Sequence, residues 1–556
     1  MFGQPRAERS LPESENGLKA LLVVALPVFF LFLGANAIWD ANEAFYVETP
    51  RQMVQSGDYV NPSFNGLPRF NKPVLSYWIV AGLYKLFGIS VEVERVGIAF
   101  GALGIILAAF LIGRALRGPP TGWLAALIVA TAPRVVMHSR RIFIDVYVTA
   151  FMSLALAGFV LALRYPEHRR RWLVMMYVAL GLGVLTKGPV AIALPVLACG
   201  LWLLLERRWR DLGSFMIPAG VAIIAAIVLP WCVAVYRQHG WTYIAQFIFG
   251  ENLERFATPM TPAGRDLWFY LPVLLTDLFP WAPLVVLPLF TGWRRAGPGE
   301  SATHASIRRL LWIWIVGIVA FFSLSKTKED LYIFPVVAAV AVLVADLLTS
   351  EDGLRRRATG AIFVCTAAIC VVLAAGVWWW FRDGYYRFDA AVPVAAVLGA
   401  GALGAIALWL RGRRALAIAT LAAGFIAFNY QFVGRVLPDV ERLKPVPPLA
   451  RTFTSRAAPD AKLAQLGMSL PSLTFYLNRP VPELLSSIDA VDLLGGAPEA
   501  WLVTNEETWN VVRAQVPAAC LADRRPLFAF DSAKLSDLLH GTPPPEALLA
   551  TNKCGR

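Results

Sequence analysis

Little of this 556-residue chain is charged: Asp, Glu, Lys and Arg make up 16% of it, against about a quarter in an ordinary soluble domain. Hydrophobic residues account for 57%, which is more apolar surface than one water-soluble core can bury. The composition therefore excludes a purely soluble protein. It indicates that lipid is the solvent for most of the chain.

Several familiar catalytic motifs are also missing. The sequence has no Walker loop, no dinucleotide-binding fingerprint and no Ser-His-Asp spacing, so soluble nucleotide chemistry is not expected. Its five histidines are scattered, and no two of them have metal-ligand spacing. No cofactor is certain, although a divalent metal at Asp40 and Glu43 is a possible variant.

Cysteines are few, and they divide by region. Four of the six lie inside apolar runs, where a cysteine behaves as a small hydrophobic residue. Cys520 and Cys554 lie in a polar tail and could form a disulfide if that tail faces an oxidising compartment. Spacing alone does not decide whether they pair.

Apolar runs predict an α-helical polytopic membrane protein of about thirteen transmembrane helices. No small-residue cleavage site precedes Trp39, so the first run is expected to remain as a membrane span. Lys187-Gly188-Pro189 separates two runs that would otherwise read as one. The thirteen runs lie at about 18–38, 96–116, 119–137, 143–163, 172–186, 189–205, 213–235, 267–291, 309–325, 331–348, 358–381, 391–411 and 414–432.

Arginine clusters set the expected orientation. With a cytoplasmic amino terminus, all six cytoplasmic loops are basic, as the positive-inside rule requires. This arrangement, with anionic lipid, explains the net charge of +13 better than nucleic acid does. An odd number of spans places the tail on the periplasmic side of a bacterial inner membrane.

Two domains follow from this reading. Residues 1–432 are expected to form the transmembrane domain, with juxtamembrane helices in the outer loops 39–95 and 236–266. In the first loop these helices are predicted at Asn42–Gln55 and Lys72–Phe87. A Pro-rich linker, Leu437–Pro448, leads into a small soluble α/β domain within 433–556. Its apolar segments are Lys462–Gly467, Ser472–Leu477 and Ala500–Thr504.

Acidic residues mark the outer face. Asp40 and Glu43 are three residues apart, so one helical face can present both carboxylates. The alternative is a capping box, with Asp40 as N-cap and Glu43 completing it. Asp145 lies just inside the fourth span, where a carboxylate is costly and is normally functional or paired. Arg140 or Arg141 could be its partner.

Basic residues gather on this same face, against the positive-inside tendency. Positive charge in such a place needs an anion, and phosphate is the obvious one. Snorkelling to lipid headgroups is the alternative for Lys187 and Lys328, which lie at span ends. Tyr46, Tyr77 and Tyr332 could donate hydrogen bonds to the same anion or belong to an interfacial belt. The basic residues are Lys72, Arg134, Arg140, Arg141, Lys187, Arg255, Arg265, Lys326 and Lys328.

Taken together, these segments resemble the GT-C glycosyltransferases, relatives of the protein O-mannosyltransferases that use a polyprenyl-phosphate sugar. Within that superfamily the chain is most similar to the bacterial branch that transfers aminoarabinose to lipid A. It departs from the branch at Val74, where a second proline is common, and at Asn252, where histidine is common. The segments are Asp40–Tyr46, Gly57–Pro62, Lys72–Trp78, Leu185–Pro189, Glu254–Phe256, Phe269–Pro272, Phe279–Trp281 and Lys328–Pro335.

The resemblance implies a donor and an acceptor. The donor would be undecaprenyl phosphate carrying 4-amino-4-deoxy-L-arabinose, and the acceptor a lipid A phosphate, a modification that gives polymyxin resistance. Roles follow in the same way. Catalysis and orientation of the amino sugar would fall to Asp40, Glu43 and Asp145, and acceptor binding to Arg140 and Arg141. The donor phosphate and lipid would be bound by Lys72, Arg255, Lys187, Tyr332, Tyr46 and Lys328.

Two alternatives stay open at this point. The first is a transferase of the same class with another sugar or a protein hydroxyl acceptor; a hydroxyl needs a general base, so Asp40 would then be indispensable. The second is a lipid transporter. A transporter is expected to have charges through the middle of the membrane and repeated halves, neither of which the sequence has.

Overall fold

The computed structural model describes residues 15–40, 42–141, 144–258, 265–291, 301–528 and 535–554, apart from the side chains of 253, 255, 289–291 and 535. Up to residue 456 the regular structure in these ranges is helical, except for a small hairpin, Ser63–Phe64 with Leu67–Pro68. A four-stranded sheet with its own helices follows. The predicted class, a helical membrane protein with a small α/β part near its carboxyl end, is confirmed.

Eight helices in the described ranges are long and apolar enough to cross a membrane. A bent pair, Leu267–Asp277 and Ala282–Pro288, adds a ninth if its two halves, 116° apart, form one span. In Ile217–His239 only 11% of the apolar window is buried inside the protein, so its apolar surface requires lipid. The eight are Val91–Arg117, Ile144–Arg164, Ile217–His239, Ala302–Leu324, Asp330–Thr349, Arg357–Phe381, Ala391–Leu410 and Arg414–Leu443.

Other predicted spans are shorter or interrupted, so the count of thirteen stays a prediction. The first run is an α-helix only over Glu15–Ala25, and 3₁₀ turns at Leu26–Phe29 and Leu33–Ala35 follow. Pro27 explains the change, since proline has no N–H to continue the α-helical ladder. The remaining short or less apolar helices are Pro119–Thr131, Pro133–His138, Arg169–Lys187 and Val190–Leu205.

The predicted break between residues 172 and 205 is confirmed. Helix Arg169–Lys187 ends at Gly188, which has φ +91°, and Val190–Leu205 begins beyond it. A side chain at Gly188 would be strained, and a Cβ there would lie 2.3 Å from the ring of Phe247. The glycine thus ends the helix with Lys187 as its last residue.

Both predicted juxtamembrane helices of the first outer loop are present, at Asn42–Ser56 and Leu75–Phe87. The second outer loop contains Trp241–Ala245, a π-helical segment Gln246–Glu254 and the short helix Arg255–Ala257. The predicted linker Leu437–Pro448 contains regular structure. It forms short helical turns, Leu437–Val440 and Glu441–Leu443, because their apolar side chains are buried.

The carboxyl-terminal sheet has the order Lys462–Leu466, Ala500–Thr504, Glu546–Thr551, Cys520–Pro526. Its first two strands are parallel and the other pairings antiparallel. Trp501 and Leu502 point to opposite faces and join different apolar clusters, so helices cover both sides. The predicted segment Ser472–Leu477 is a helix, not a strand. The other helices are Val446–Arg456, Ser487–Gly496, Glu506–Gln515 and Leu535–His540.

This sheet domain packs on one end of the helical bundle, called here the sheet-side face. Arg51, in the helix Asn42–Ser56, donates to the side-chain oxygen of Asn478 in the sheet domain at 2.6 Å. Asn65 donates to the Val481 carbonyl at 3.1 Å. At the opposite face Arg117 pairs with Asp346 (2.6 Å).

The sheet domain also contains a disulfide. Cys520 and Cys554 are joined, with a Cα–Cα distance of 5.8 Å. The structure thereby decides the pairing that the sequence left open.

Candidate functional site

Consecutive antiparallel helices bring the first part of the site together. Asp145 is in the first turn of Ile144–Arg164, and Lys187 is the last residue of Arg169–Lys187. The start of one helix and the end of the next therefore meet at the sheet-side face. The loop before Leu75–Phe87 carries Lys72 to the same region.

Lys187 forms an ion pair with Asp145, and its ammonium also lies over the ring of Tyr332, 4.9 Å from the centroid. Tyr332 in turn contacts Phe322, with 4.9 Å between ring centroids. The sequence also allowed Arg140 or Arg141 as the partner of Asp145. That alternative is wrong, because both arginines have other contacts. Three predicted site residues, Asp145, Lys187 and Tyr332, are thus brought together.

Lys72 forms a second ion pair, with Glu251 of the π-helical segment, at 2.5 Å. Asn71 donates to the other carboxylate oxygen of Glu251 at 2.9 Å. The hydroxyl of Tyr243 donates to the Lys72 carbonyl at 2.9 Å, so the lysine is held at its backbone as well as at its ammonium group. Glu251 is therefore the carboxylate that positions Lys72.

Tyr46 interacts electrostatically with the carboxylates of both ion pairs. Its ring stacks on Tyr77 with centroids 5.5 Å apart. Burial raises the pKa of Tyr46 well above its ordinary value, and the charges of Asp145 and Glu251 raise it further. The hydroxyl therefore stays protonated and can donate a hydrogen bond. The placement of Tyr46 near the donor stays a prediction.

The side chains of these two ion pairs are more exposed than those of the Glu43–Arg95 pair. The side chains of Lys72, Glu251, Lys187 and Asp145 are 15%, 10%, 17% and 14% exposed. Those of Glu43 and Arg95 are 2% and 1% exposed. The charged side chains of the two ion pairs are therefore partly exposed, whereas Glu43 and Arg95 are buried. We refer to Asp145, Lys187, Tyr46, Lys72 and Glu251 as the paired-charge site.

Glu43 is buried, and both oxygens of its carboxylate accept hydrogen bonds from nearby groups of the protein. One oxygen accepts from Arg95 at 2.9 Å and the other from the backbone N–H of Trp39 at 2.6 Å. Arg95 also donates to the carbonyls of Leu33 and Asn36. The alternative of a capping box between Asp40 and Glu43 is wrong. The Glu43 carboxylate accepts from the N–H of Trp39 instead of that of Asp40, and the Asp40 side chain does not cap its own helix.

Asp40 binds the sheet domain. Its two oxygens accept from the Ser472 N–H (2.8 Å) and the Ser472 hydroxyl (2.6 Å), at the start of Ser472–Leu477. Burial raises the pKa of Asp40 to about 6, although these hydrogen bonds and Lys444 oppose the shift. Burial likewise lowers the pKa of Lys444 to about 8. Asp40 and Glu43 thus lie at the domain interface, and their predicted catalytic role stays a prediction.

The two arginines assigned to the acceptor also have partners within the chain. Arg140 donates to the carbonyls of Val28 (3.0 Å) and Phe32 (2.7 Å), near the end of the first span. Val28 and Phe32 lie in the 3₁₀ region of this segment, where the regular α-helix has ended. Arg141 lies over the ring of Trp39, 4.6 Å from its centroid. Their acceptor role stays a prediction.

Three further basic residues of this face were also considered as phosphate ligands, namely Lys328, Arg265 and Arg255. Lys328 is buried and donates to the Ser325 carbonyl at 2.7 Å, so it stabilises its own loop. Arg265 donates to the Lys328 carbonyl. Arg255 belongs to the short helix Arg255–Ala257, and its side chain lies outside the described residues.

The carboxylates of Asp40 and Glu43 are poorly suited to binding a metal ion. All four carboxylate oxygens of that pair accept hydrogen bonds, and Arg95 beside them would repel a cation. Among the described residues no group of three or more His, Cys, Asp and Glu side chains is arranged so that it could hold a metal ion. This pair does not fit a divalent cation unless those hydrogen bonds break.

The sequence reasoning missed Glu251 and Asn71. Glu251 lies in the outer loop 236–266, where a juxtamembrane helix was predicted, but its carboxylate was not among the predicted site residues. The available indication was an acidic residue directly after an apolar stretch, Phe247–Gly250, close to Arg255. Asn71 is adjacent to Lys72 and gave no separate indication.

Known proteins share this architecture. The family model described as dolichyl-phosphate-mannose-protein mannosyltransferase matches residues 18–244. The crystal structure of ArnT from Cupriavidus metallidurans bound to undecaprenyl phosphate superimposes with a TM-score of 0.78 at 22% identity, covering 97% of this chain and 98% of that one. The fold is therefore that of a GT-C membrane glycosyltransferase.

Sequence relatives narrow the assignment. The undecaprenyl phosphate-alpha-4-amino-4-deoxy-L-arabinose arabinosyl transferase of Pseudomonas paraeruginosa is 31% identical over 439 residues, 76% of this chain and 78% of the relative. The protein of the same name from Edwardsiella ictaluri is 32% identical over 407 residues, 71% of each chain. The chain belongs to this family of arabinosyl transferases and is a multi-pass membrane glycosyltransferase.

Proposed function

We propose that this enzyme transfers 4-amino-4-deoxy-L-arabinose from undecaprenyl phosphate to a phosphate of lipid A, on the periplasmic side of the bacterial inner membrane. The names of the relatives support the donor and the sugar. The sheet-side face is then the periplasmic one, which agrees with the basic loops predicted for the cytoplasmic side.

The observation that carries the proposal is the paired-charge site. Lys72 and Lys187 each hold a carboxylate at a partly exposed position, and both carboxylates act electrostatically on the protonated Tyr46. A donor phosphate can exchange for either carboxylate, because phosphate is a strong acceptor for an ammonium group. The same carboxylates can then bind the cationic amine of the sugar.

The reaction exchanges one carbon–oxygen bond for another. An oxygen of the acceptor phosphate attacks the anomeric carbon, and the bond from that carbon to the undecaprenyl phosphate oxygen breaks. The electron pair leaves with undecaprenyl phosphate as an oxyanion. Lys72, Lys187 and the Tyr46 hydroxyl would stabilise that developing charge, the usual main contribution of such donors.

The choice of acceptor follows from how the carboxylates near the site are engaged. The acceptor phosphate is already an anion, so no proton has to be removed before attack. In the proposed complex Asp145 and Glu251 bind the sugar amine once their lysines contact the donor phosphate, and Asp40 accepts two hydrogen bonds from Ser472. These environments favour a phosphate acceptor over a hydroxyl that would need deprotonation.

The test is transfer in a bacterium that has no aminoarabinose transferase of its own but makes the donor. Expression of this chain should add the mass of aminoarabinose to lipid A, read by mass spectrometry, and raise polymyxin resistance. Lys72→Ala and Lys187→Ala should abolish both at equal protein levels in the membrane.

A matched control is Lys462→Ala, at an exposed position in the sheet domain. It should leave lipid A modification unchanged. Unmodified lipid A in the presence of well-expressed wild-type protein would reject the proposed function.

A further inference from the structure

Arg69 lies three residues before Lys72, directly after the small hairpin of the first outer loop. Its backbone N–H donates to the Pro62 carbonyl at 2.8 Å, so the hairpin fixes its main chain. On the basis of the proposed function, we propose that Arg69 is a further phosphate-binding residue of the paired-charge site. Its ligand would be the phosphate of a lipid-linked substrate, and the donor is the source we expect.

An aromatic ring holds the Arg69 side chain. The guanidinium carbon lies 3.8 Å from the centroid of the Phe45 ring. Phe45 in turn packs edge-on against Phe64 of the hairpin, with 4.8 Å between ring centroids. Such attraction to a ring face orients a guanidinium but leaves its charge in place. Because Phe45 directly precedes Tyr46, one helix carries both this aromatic support and a hydroxyl of the site.

No carboxylate among the residues that the structure describes forms an ion pair with Arg69, whereas Lys72 and Lys187 each pair with one. The Nε N–H of Arg69 is also buried, and it donates to no acceptor in those residues. Buried donors ordinarily have a partner, and an arginine is always charged. An anion that binds Arg69 therefore displaces no carboxylate, and it meets an N–H donor that needs an acceptor.

The charge of Arg69 acts on tyrosines around the paired-charge site. Burial raises the pKa of three of them, and Arg69 opposes the rise in each case. They are Tyr46, Tyr77 and Tyr243. Tyr46 is itself a member of the site, and the Tyr243 hydroxyl donates to the Lys72 carbonyl at 2.9 Å. Arg69 and Lys72 therefore lie near the same group of tyrosines.

A phosphate ester can accept hydrogen bonds from both basic residues at once. It has more than one non-bridging oxygen, and hydrogen bonds from a charged donor to phosphate are strong. Arg69 would contact one oxygen through its planar set of N–H groups while Lys72 contacts another. When the bond to the sugar breaks, the charge on the donor phosphate increases and both contacts become stronger. Arg69 would thus stabilise the bound donor and the leaving undecaprenyl phosphate.

The test measures phosphate binding directly, with the full-length enzyme in detergent. The dissociation constant of undecaprenyl phosphate is determined by titration for wild type, Arg69→Gln and Arg69→Lys. The KM for the donor and the KM for lipid A are measured in the transfer reaction. Arg382→Gln is the matched control, since Arg382 also lies over an aromatic ring, 4.5 Å from the Trp378 centroid, and pairs with Asp383.

We expect Arg69→Gln to raise the Kd of undecaprenyl phosphate and the KM for the donor by about tenfold or more, as loss of one charged hydrogen bond would give. The KM for lipid A should stay the same. Arg69→Lys keeps the charge and should recover part of the affinity. Arg382→Gln should behave as wild type in every measurement.

A rise confined to the KM for lipid A would support the phosphate-binding role with the acceptor as its source. Unchanged affinity for undecaprenyl phosphate and for both substrates in Arg69→Gln would overturn the proposal, even with a lower kcat. It would also be overturned if Arg69→Lys bound as weakly as Arg69→Gln and both unfolded at a lower temperature, because a damaged fold would then explain the loss. Failure of the proposed function would look different: wild type itself would transfer no aminoarabinose to lipid A, while the Kd of undecaprenyl phosphate would still report on Arg69.

Discussion

The carboxylate of Asp40 accepts two hydrogen bonds from Ser472, a residue 432 positions later in the chain. Asp40 follows the first membrane span, and Ser472 begins a helix of the sheet domain. Glu441 reinforces this connection by accepting from the Ala37 N–H at 2.9 Å. The segment before the helix Asn42–Ser56 is therefore held by the sheet domain.

Replacing Asp40 should loosen this interface. Asp40→Ala leaves the N–H and hydroxyl of Ser472 without their acceptor, at a cost of about 1–3 kcal/mol. Asp40→Asn keeps an acceptor for the N–H and should retain most of the docking. Hydrogen exchange of the Ser472–Leu477 amides, measured in detergent, should accelerate in the alanine variant alone. Similar exchange in all three proteins would contradict the role of the Asp40 contact.

The same interface should depend on pH. Because burial raises the pKa of Asp40 to about 6 from 3.8, the docked state binds a proton more readily than the open state between those values. Docking therefore weakens as the pH rises from about 4 to about 6, by up to about 1.4 kcal/mol per pH unit, and then stays constant. Thermal unfolding of Asp40→Asn should lack this contribution, so its stability relative to wild type should rise with pH over that range. A constant difference would contradict the assignment.

Removing the charge of Glu43 should destabilise the protein more. Glu43→Gln leaves Arg95 buried without its counter-charge, and breaking a buried pair in this way typically costs about 3–5 kcal/mol. Carbonyl contacts of Arg95 persist, so we expect the lower end of that range. Thermal unfolding in detergent measures the loss. Glu351→Gln, at an exposed position, is the control and should unfold as wild type does. An unaltered unfolding temperature in Glu43→Gln would contradict the buried role.

Much of the fold was predictable because long apolar runs in a sequence indicate segments that lie in lipid. The break at Gly188, the helices after Asn42 and Leu75, and the strands at Lys462 and Ala500 all follow local rules of sequence. The exact boundaries of the spans do not follow from local rules. Regular helix is interrupted at Pro27 and at the bend after Asp277, where the geometry depends on packing.

The site was predictable in its residue types more than in its pairings. Asp145, Lys187, Lys72 and Tyr332 carry charge or a hydroxyl at an expected membrane height, and the structure brings them near one another or near Tyr46. Asp40 looked equivalent to Asp145 because its partner, Ser472, belongs to a distant part of the chain. Long-range partners of this kind leave no trace in local spacing.

The Lys187–Asp145 pair gives the sharpest test of the site. Lys187→Met removes a cation beside the proposed leaving phosphate and should lower kcat/KM about 100-fold, as loss of one such donor commonly does. Because the two residues form an ion pair, Asp145→Asn should also reduce activity, and the double variant should lose less than the product of the two single losses. In vitro transfer of aminoarabinose to lipid A measures all three, with Lys462→Met as the control. A double variant whose loss equals the product of the two single losses would show instead that Asp145 and Lys187 act on the substrates independently.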